Sequence, residues 1–116
     1  MKRLLIQSPL TGECRFIRQT GFPRFGHVLL TVEASCTDGL SFQWDVLPEQ
    51  IPEMFREAVC RGVRRSFEPG AQFGEYAPDG LLVRVIGGSF QEKDSNEGSF
   101  EIASKQAFAQ ALAQRN

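Results

Sequence analysis

Between Gly26 and Arg65 the hydrophobic period changes once, and that change limits the chain to few folds. The run GHVLLTVEA sets Val28, Leu30 and Val32 on one face and Leu29, Thr31 and Glu33 on the other. LSFQWDV alternates more cleanly, with Leu40, Phe42, Trp44 and Val46 inward and Ser41, Gln43 and Asp45 outward. A period of two marks half-buried strands. Thr37-Asp38-Gly39 separates the runs, and Asp-Gly in that place predicts a hairpin of adjacent antiparallel strands. Upstream, ECRFIR predicts a further strand, joined on through the turn-rich QTGFPRFG, and Leu4-Leu5-Ile6 a short first strand.

Residues 51–65, IPEMFREAVCRGVRR, then switch to helical spacing through Ile51, Phe55, Ala58 or Val59, Gly62 and Val63. Pro52 suits a first helical position, and Glu53 suits the positive end of the helix dipole. Glu57 and Arg61 stand four apart in the favourable order. Gly62 in mid-helix predicts close packing on the sheet. The cluster Arg61, Arg64 and Arg65 either complements the helix C-terminus or binds phosphate. After the Gly/Pro-rich EPGAQFGEYAPDG comes another strand, LLVRVIGG, whose Gly87-Gly88-Ser89 reads as a tight turn. Asp94 with Glu97 resembles a capping box, opening a second helix with Phe100, Ala103, Ala107, Phe108, Ala111 and Leu112 as its apolar stripe. Strands, helix, strand, helix predict an α+β sandwich with the helices on one sheet face. At 116 residues with no repeat or linker, 1–116 reads as one domain.

Several kinds of chemistry are excluded. No apolar run approaches the roughly 20 residues that span a bilayer, and no signal-peptide pattern opens the chain, so a cytoplasmic location is expected. Cys14, Cys36 and Cys60 are far apart and His27 is the sole histidine, which argues against a zinc site and predicts buried or half-buried free thiols. GxxxxGK[ST], GxGxxG and GxSxG are all missing. No cofactor, metal or enzymatic activity is expected. His27 reads as a half-exposed strand residue bonding a neighbouring loop, with Glu33 the nearest carboxylate candidate for a dyad, and Trp44 reads as core.

The net charge of −1 argues against a general nucleic-acid binder, but the charge is uneven. Residues 1–26 carry five basic side chains against Glu13, whereas residues 27–60 carry six acidic ones against Arg56. A phosphate-binding surface must therefore be local and lie in the N-terminal segment. Two loops stand out there and beyond, QTGFPRFG and SFQEKDS. Both mix charge, aromatic and turn residues at positions that suit recognition.

With these loops in view, the chain resembles domain four of translation elongation factor G and its relatives. Gly26-His27-Val28, preceded by Arg24-Phe25, is similar to the family's Q-Y/F-G-H-V signature. Ile51-Pro52, then Ala58-Val59 and Gly62, are similar to its I-P…A-V…G pattern. Gly88-Ser89-Phe90, Asp94-Ser95, Glu97 and Phe100 resemble its G-S-Y-H-x-x-D-S-x-E-x-x-F run, and Ala103, Ala107 and Phe108 follow. The resemblance covers roughly residues 15–113. It implies the ribosomal protein S5 domain 2-like fold: about four strands in a mixed sheet, two helices on one face and a left-handed βαβ crossover, against the usual hand.

In that family the domain is the tip that enters the decoding region of the small ribosomal subunit and holds the codon–anticodon duplex in the A site. The resemblance implies that loops 20–25 and 89–94 make the contact, with Arg18, Gly21, Phe22, Arg24, Ser89, Gln91 and Lys93 touching ribosomal RNA or the messenger–tRNA duplex. The tip departs from the family pattern. Gln91 stands where the family has a histidine, which can be modified to diphthamide in archaeal and eukaryotic relatives. Gly21-Phe22-Pro23-Arg24 replaces a glycine-rich G-G-x-G-Q, and Phe22 either stacks on a base or packs inward. The family's GTPase needs a P-loop that this chain lacks, so no nucleotide binding is expected. A free-standing paralogue and a piece of a longer factor both fit. The leading expectation is a ribosome-associated RNA-contacting domain; the alternative is a protein-interaction module that kept the fold and lost RNA binding.

Overall fold

The structure, a computed structural model, describes residues 2–115. In chain order the elements are β1 (Lys2–Arg3), β2 (Leu10–Arg18), β3 (Arg24–Ala34), β4 (Leu40–Trp44), a 3₁₀ turn (Glu53–Phe55) running into α1 (Arg56–Arg65), β5 (Tyr76–Ala77), β6 (Leu81–Ser89) and α2 (Glu97–Leu112). The main sheet has the order β2-β3-β6-β4, with β2/β3 and β3/β6 antiparallel and β4/β6 parallel. This is the expected α+β fold with a mixed four-stranded sheet. Inward-facing Val28, Leu30, Val32, Val83 and Val85 meet Phe100, Ala103, Ala107 and Phe108 of α2 in one core. α2 packs over β2 and β3 and against α1. Phe42 and Trp44 of β4 lie under Arg64 and Arg56 of α1, at 5.9 and 5.8 Å, so both helices cover the same face.

The predicted 37–39 hairpin does not form. β6 inserts between its two strands, so that Ala34 and Leu40 both stand in register with Leu81. Residues 35–39 instead bond to the turn that leads into β6. Ser35 N–H donates to Gly80 O at 2.8 Å, Gly80 N–H to Gly39 O at 3.0 Å, and Gly39 N–H to Asp79 Oδ1 at 2.6 Å. The most apolar strand thereby gains a partner on each side, and β4 becomes an edge. Trp44, predicted as core, is accordingly only half-buried.

Other local expectations shift for identifiable reasons. Pro52 has an extended ψ of 145°, so the 3₁₀ turn starts after it and the α-helix only at Arg56; Ile51 stays fully buried outside the helix. A Cβ on Gly62 would strike Glu101 O and Ser104 Oγ, so this glycine admits α2, not the sheet. Glu57 pairs with Arg64 in place of Arg61. Gly87-Gly88 is no turn: it continues β6 past a bulge at Ile86, where the register steps from Val85 to Gly87. The α2 cap is Asn96, not Asp94, its Oδ1 accepting from Ser99 N–H at 2.8 Å. The first strand shrinks to β1, paired parallel with β5, while Leu4 and Ile6 are buried beyond it. Cys14 and Cys60 are covered as expected, and burial pushes both thiols up, but Cys36 is exposed.

Candidate functional site

The register Arg18↔Arg24 closes the β2–β3 hairpin and leaves residues 19–23 as its fully exposed connection. Gly21 turns the chain with φ of 71°, in the left-handed region that favours glycine. Pro23 stiffens the return. Phe22 is 86% exposed, so of its two readings the inward one is excluded.

The second loop leaves β6 at Ser89 and folds on itself. Gln91 O accepts from the amides of Asp94 and Ser95 at 3.2 and 2.9 Å, and Gln91 N–H donates to Ser95 Oγ at 2.9 Å. The same hydroxyl donates to Phe25 O at 2.9 Å, while Phe25 N–H donates to Asp94 O at 2.9 Å. The loop is thus bonded to the foot of the first hairpin, and the two loops form one tip. Gln91, Glu92 and Lys93 are exposed along its outer edge.

On the sheet face that the helices leave open, His27 bridges three strands. Its Nδ1 lies 2.8 Å from Ser89 Oγ and its Nε2 2.7 Å from Glu13 Oε2. Its carboxylate partner is therefore Glu13, and the candidate Glu33 bonds Arg84 at 2.8 Å. Serine, histidine and carboxylate in a row resemble a nucleophilic relay, but they lie across an open face. The better-formed concavities, of about 170 and 510 Å³, are lined elsewhere, by the N-terminal segment and the turns around 35–38 and 79–80. Among the described residues no cluster could hold a metal ion, and no helix is long and apolar enough to cross a membrane.

Cations without an acidic partner gather at the tip, although Lys105 and Arg115, which lie elsewhere, also form no ion pair among the described residues. Among the described residues Arg15, Arg18, Arg24 and Lys93 form no ion pair, whereas Arg3, Arg56, Arg61, Arg64, Arg65 and Arg84 all do. Arg15 lies over the Phe25 ring at 5.6 Å, and Arg24 Nη1 reaches within 3.7 Å of where a side chain on Gly98 would begin. Arg24 therefore adds its charge beside the first turn of α2, already the positive end of that helix. Glu92, Asp94 and Glu97 oppose these cations from the second loop and the helix start.

All seven residues singled out in the sequence thus fall on or beside the tip: Gly21 and Phe22 in the first loop with Arg18 and Arg24 on the strand ends that frame it, and Gln91 and Lys93 in the second loop with Ser89 at the end of β6. Glu13, Arg15, Ser95 and Asn96 escaped the sequence reading. Arg15 was visible as a basic residue of a predicted strand, and Asn96 as a capping residue type just before the helix; Glu13 and Ser95 depend on pairings made only in the folded chain.

The family described as elongation factor G, domain IV, matches residues 6–116. Elongation factor G 2 of Syntrophomonas wolfei subsp. wolfei is 37% identical over 109 residues, covering 92% of this chain and 16% of that protein. Elongation factor G of Petrotoga mobilis is 34% identical over 111 residues, with the same 92% and 16% coverage. The crystal structure of a Thermus thermophilus protein superposes with a TM-score of 0.83 at 28% identity, over 96% of this chain and 16% of that one. The chain spans only that small share of the proteins it matches.

Proposed function

This chain belongs to the elongation factor G domain IV family, and from that premise we propose that it is a ribosome-associated, translation-related domain that binds RNA without catalysing a reaction. Residues 1–116 act as one unit whose tip, loops 20–25 and 89–94, contacts small-subunit RNA or the messenger–tRNA duplex in the A site, in the cytoplasm. Arg18, Arg24 and Lys93 engage phosphates, Phe22 stacks on an exposed base, and Ser89 and Gln91 hydrogen-bond to sugar or base edges, with Gly21 turning the first loop. The observation that carries this reading is the joining of both loops into one tip whose cations are unpaired among the described residues.

The test is co-sedimentation with small ribosomal subunits across a salt series. Binding that fades with salt, and weakens in Arg18→Ala and Lys93→Ala, supports the proposal; no binding at any salt overturns it. The exposed Phe22 of the first loop and the exposed, acidic Glu92 of the second favour one other reading, a protein-interaction module without RNA. A stable, RNA-free complex that is lost in Phe22→Ala would identify it.

A further inference from the structure

The Glu13–His27–Ser89 row is not used by the reading above, apart from the hydroxyl at its end. Its chemistry is fixed by its first member. An ionised carboxylate only accepts, so the proton of a neutral His27 ring must sit on Nε2, facing Glu13 at 2.7 Å. Nδ1 is then a bare lone pair, and the Ser89 hydroxyl, 2.8 Å away, must donate to it. The Ser89 hydrogen is then committed to His27, and its oxygen is left as an acceptor only.

The placement shows what this does. Ser89 is the last residue of β6, and the second loop starts there. The far end of that loop is already tied to Phe25 through Asp94 and Ser95. Phe25 and His27 alternate along the same strand and face the same side. Residues 90–93 thus span two feet, both standing on β3, and the first foot includes the bond to His27. Arg15 stands in register with His27 on β2, so Glu13 is not the only charged group on that face, but it is the one within bonding distance.

We infer that Glu13 and His27 are positioning residues. With the His27 ring neutral they hold Ser89 as a one-way donor, fix the root of the second loop, and leave at that root an acceptor suited to a hydrogen-bond donor of the partner, such as a ribose 2′-hydroxyl, and not to a phosphate oxygen. This rests on the proposed RNA contact only for the partner; the tautomer and the anchored loop are properties of the chain itself.

The test separates the two. In ¹⁵N NMR at pH 8.5 the wild-type His27 ring should carry its proton on Nε2. Glu13→Ala should mix the tautomers and speed amide exchange at Gln91 and Ser95 several-fold, and Glu13→Gln, which keeps an acceptor, should restore both. A proton on Nδ1 in the wild type, or a Glu13→Ala variant with unchanged tautomer and loop exchange, overturns the inference. For the partner, the wild type should bind a short RNA several-fold more tightly than its 2′-deoxy counterpart, and Ser89→Ala should remove that preference. Equal binding of the two oligonucleotides by the wild type overturns the acceptor assignment. Failure to bind either, with the NMR results as expected, would count against the proposed function and leave the anchored loop standing.

Discussion

Two arginine clusters of equal size lie on this chain, and they have opposite fates. Arg61, Arg64 and Arg65 crowd the end of α1, while Arg15, Arg18 and Arg24 crowd the β2–β3 hairpin. In the first cluster Arg61 and Arg65 converge on Glu101 of α2, at 3.6 and 2.6 Å, and Arg64 takes Glu57. In the second none meets a carboxylate among the described residues. Density of positive charge along a sequence is therefore a poor guide to a binding surface. What decides is whether the fold brings an acid opposite, and at α1 the glycine at position 62 does so by letting α2 approach.

The strongest way to break the comparison is to push the helices apart. Gly62→Leu would drive a side chain into Glu101 O and Ser104 Oγ, which belong to backbone and to a buried serine. Overpacking of this kind costs about 3 kcal/mol. Urea unfolding should show a large drop in midpoint with little change in slope. A variant as stable as the wild type would mean that the helix contact tolerates separation.

Next in size is the tip itself. The double variant Arg18→Ala with Lys93→Ala should leave stability within about 0.5 kcal/mol, since both side chains are exposed and unpaired. Its affinity for small subunits at low salt should fall about tenfold, near 1.4 kcal/mol, with a shallower salt dependence. The same pair of measurements on Arg64→Ala should show no loss of affinity. If the two variants behave alike, the distinction between the clusters fails.

Glu101→Ala sharpens the contrast from the other side. It strips the shared acceptor from Arg61 and Arg65 and should destabilise by about 1 kcal/mol, because the carboxylate is partly buried and serves two cations. It should also turn α1 into an anion-binding face, seen as stronger retention on heparin. Unchanged retention would show that the paired arginines were not held back by Glu101.

How much of this was legible in advance differs by range. Periods of two and near 3.6 were readable within each element, which is why β2, β3, β4 and both helices fall close to their predicted places. Pairing across the chain was not. Asp38-Gly39 has the composition of a hairpin, yet β6 is inserted there because its alternate residues Leu81, Val83 and Val85 need burial beside both neighbours. The same holds at the site. Arg18, Phe22 and Lys93 announce themselves by type in or at the edge of exposed loops, whereas Glu13 gains its role only because β2 pairs with β3 at a register that carries it to His27.

The smallest effect concerns a paired cation far from the tip, and acid should reveal it. Gly39 N–H, first, and then the Arg3 guanidinium hold the Asp79 carboxyl below the ordinary aspartate range. A carboxyl lowered in the folded state binds fewer protons there than in the unfolded chain. Its contribution is therefore complete above the unfolded value of about 3.9 and drains away as pH falls through the folded one. Asp79→Asn should lower the urea midpoint slightly at neutral pH, and the gap to wild type should close as pH is brought below about 4. Arg3→Ala should keep most of the acid dependence, because the backbone donor at Gly39 is the larger cause and remains in place. Were Arg3→Ala to abolish it, the guanidinium and not the turn would be what sets this carboxyl. Arg18→Ala should leave the acid limb of the wild type unaltered, since Arg18 has no carboxylate partner among the described residues.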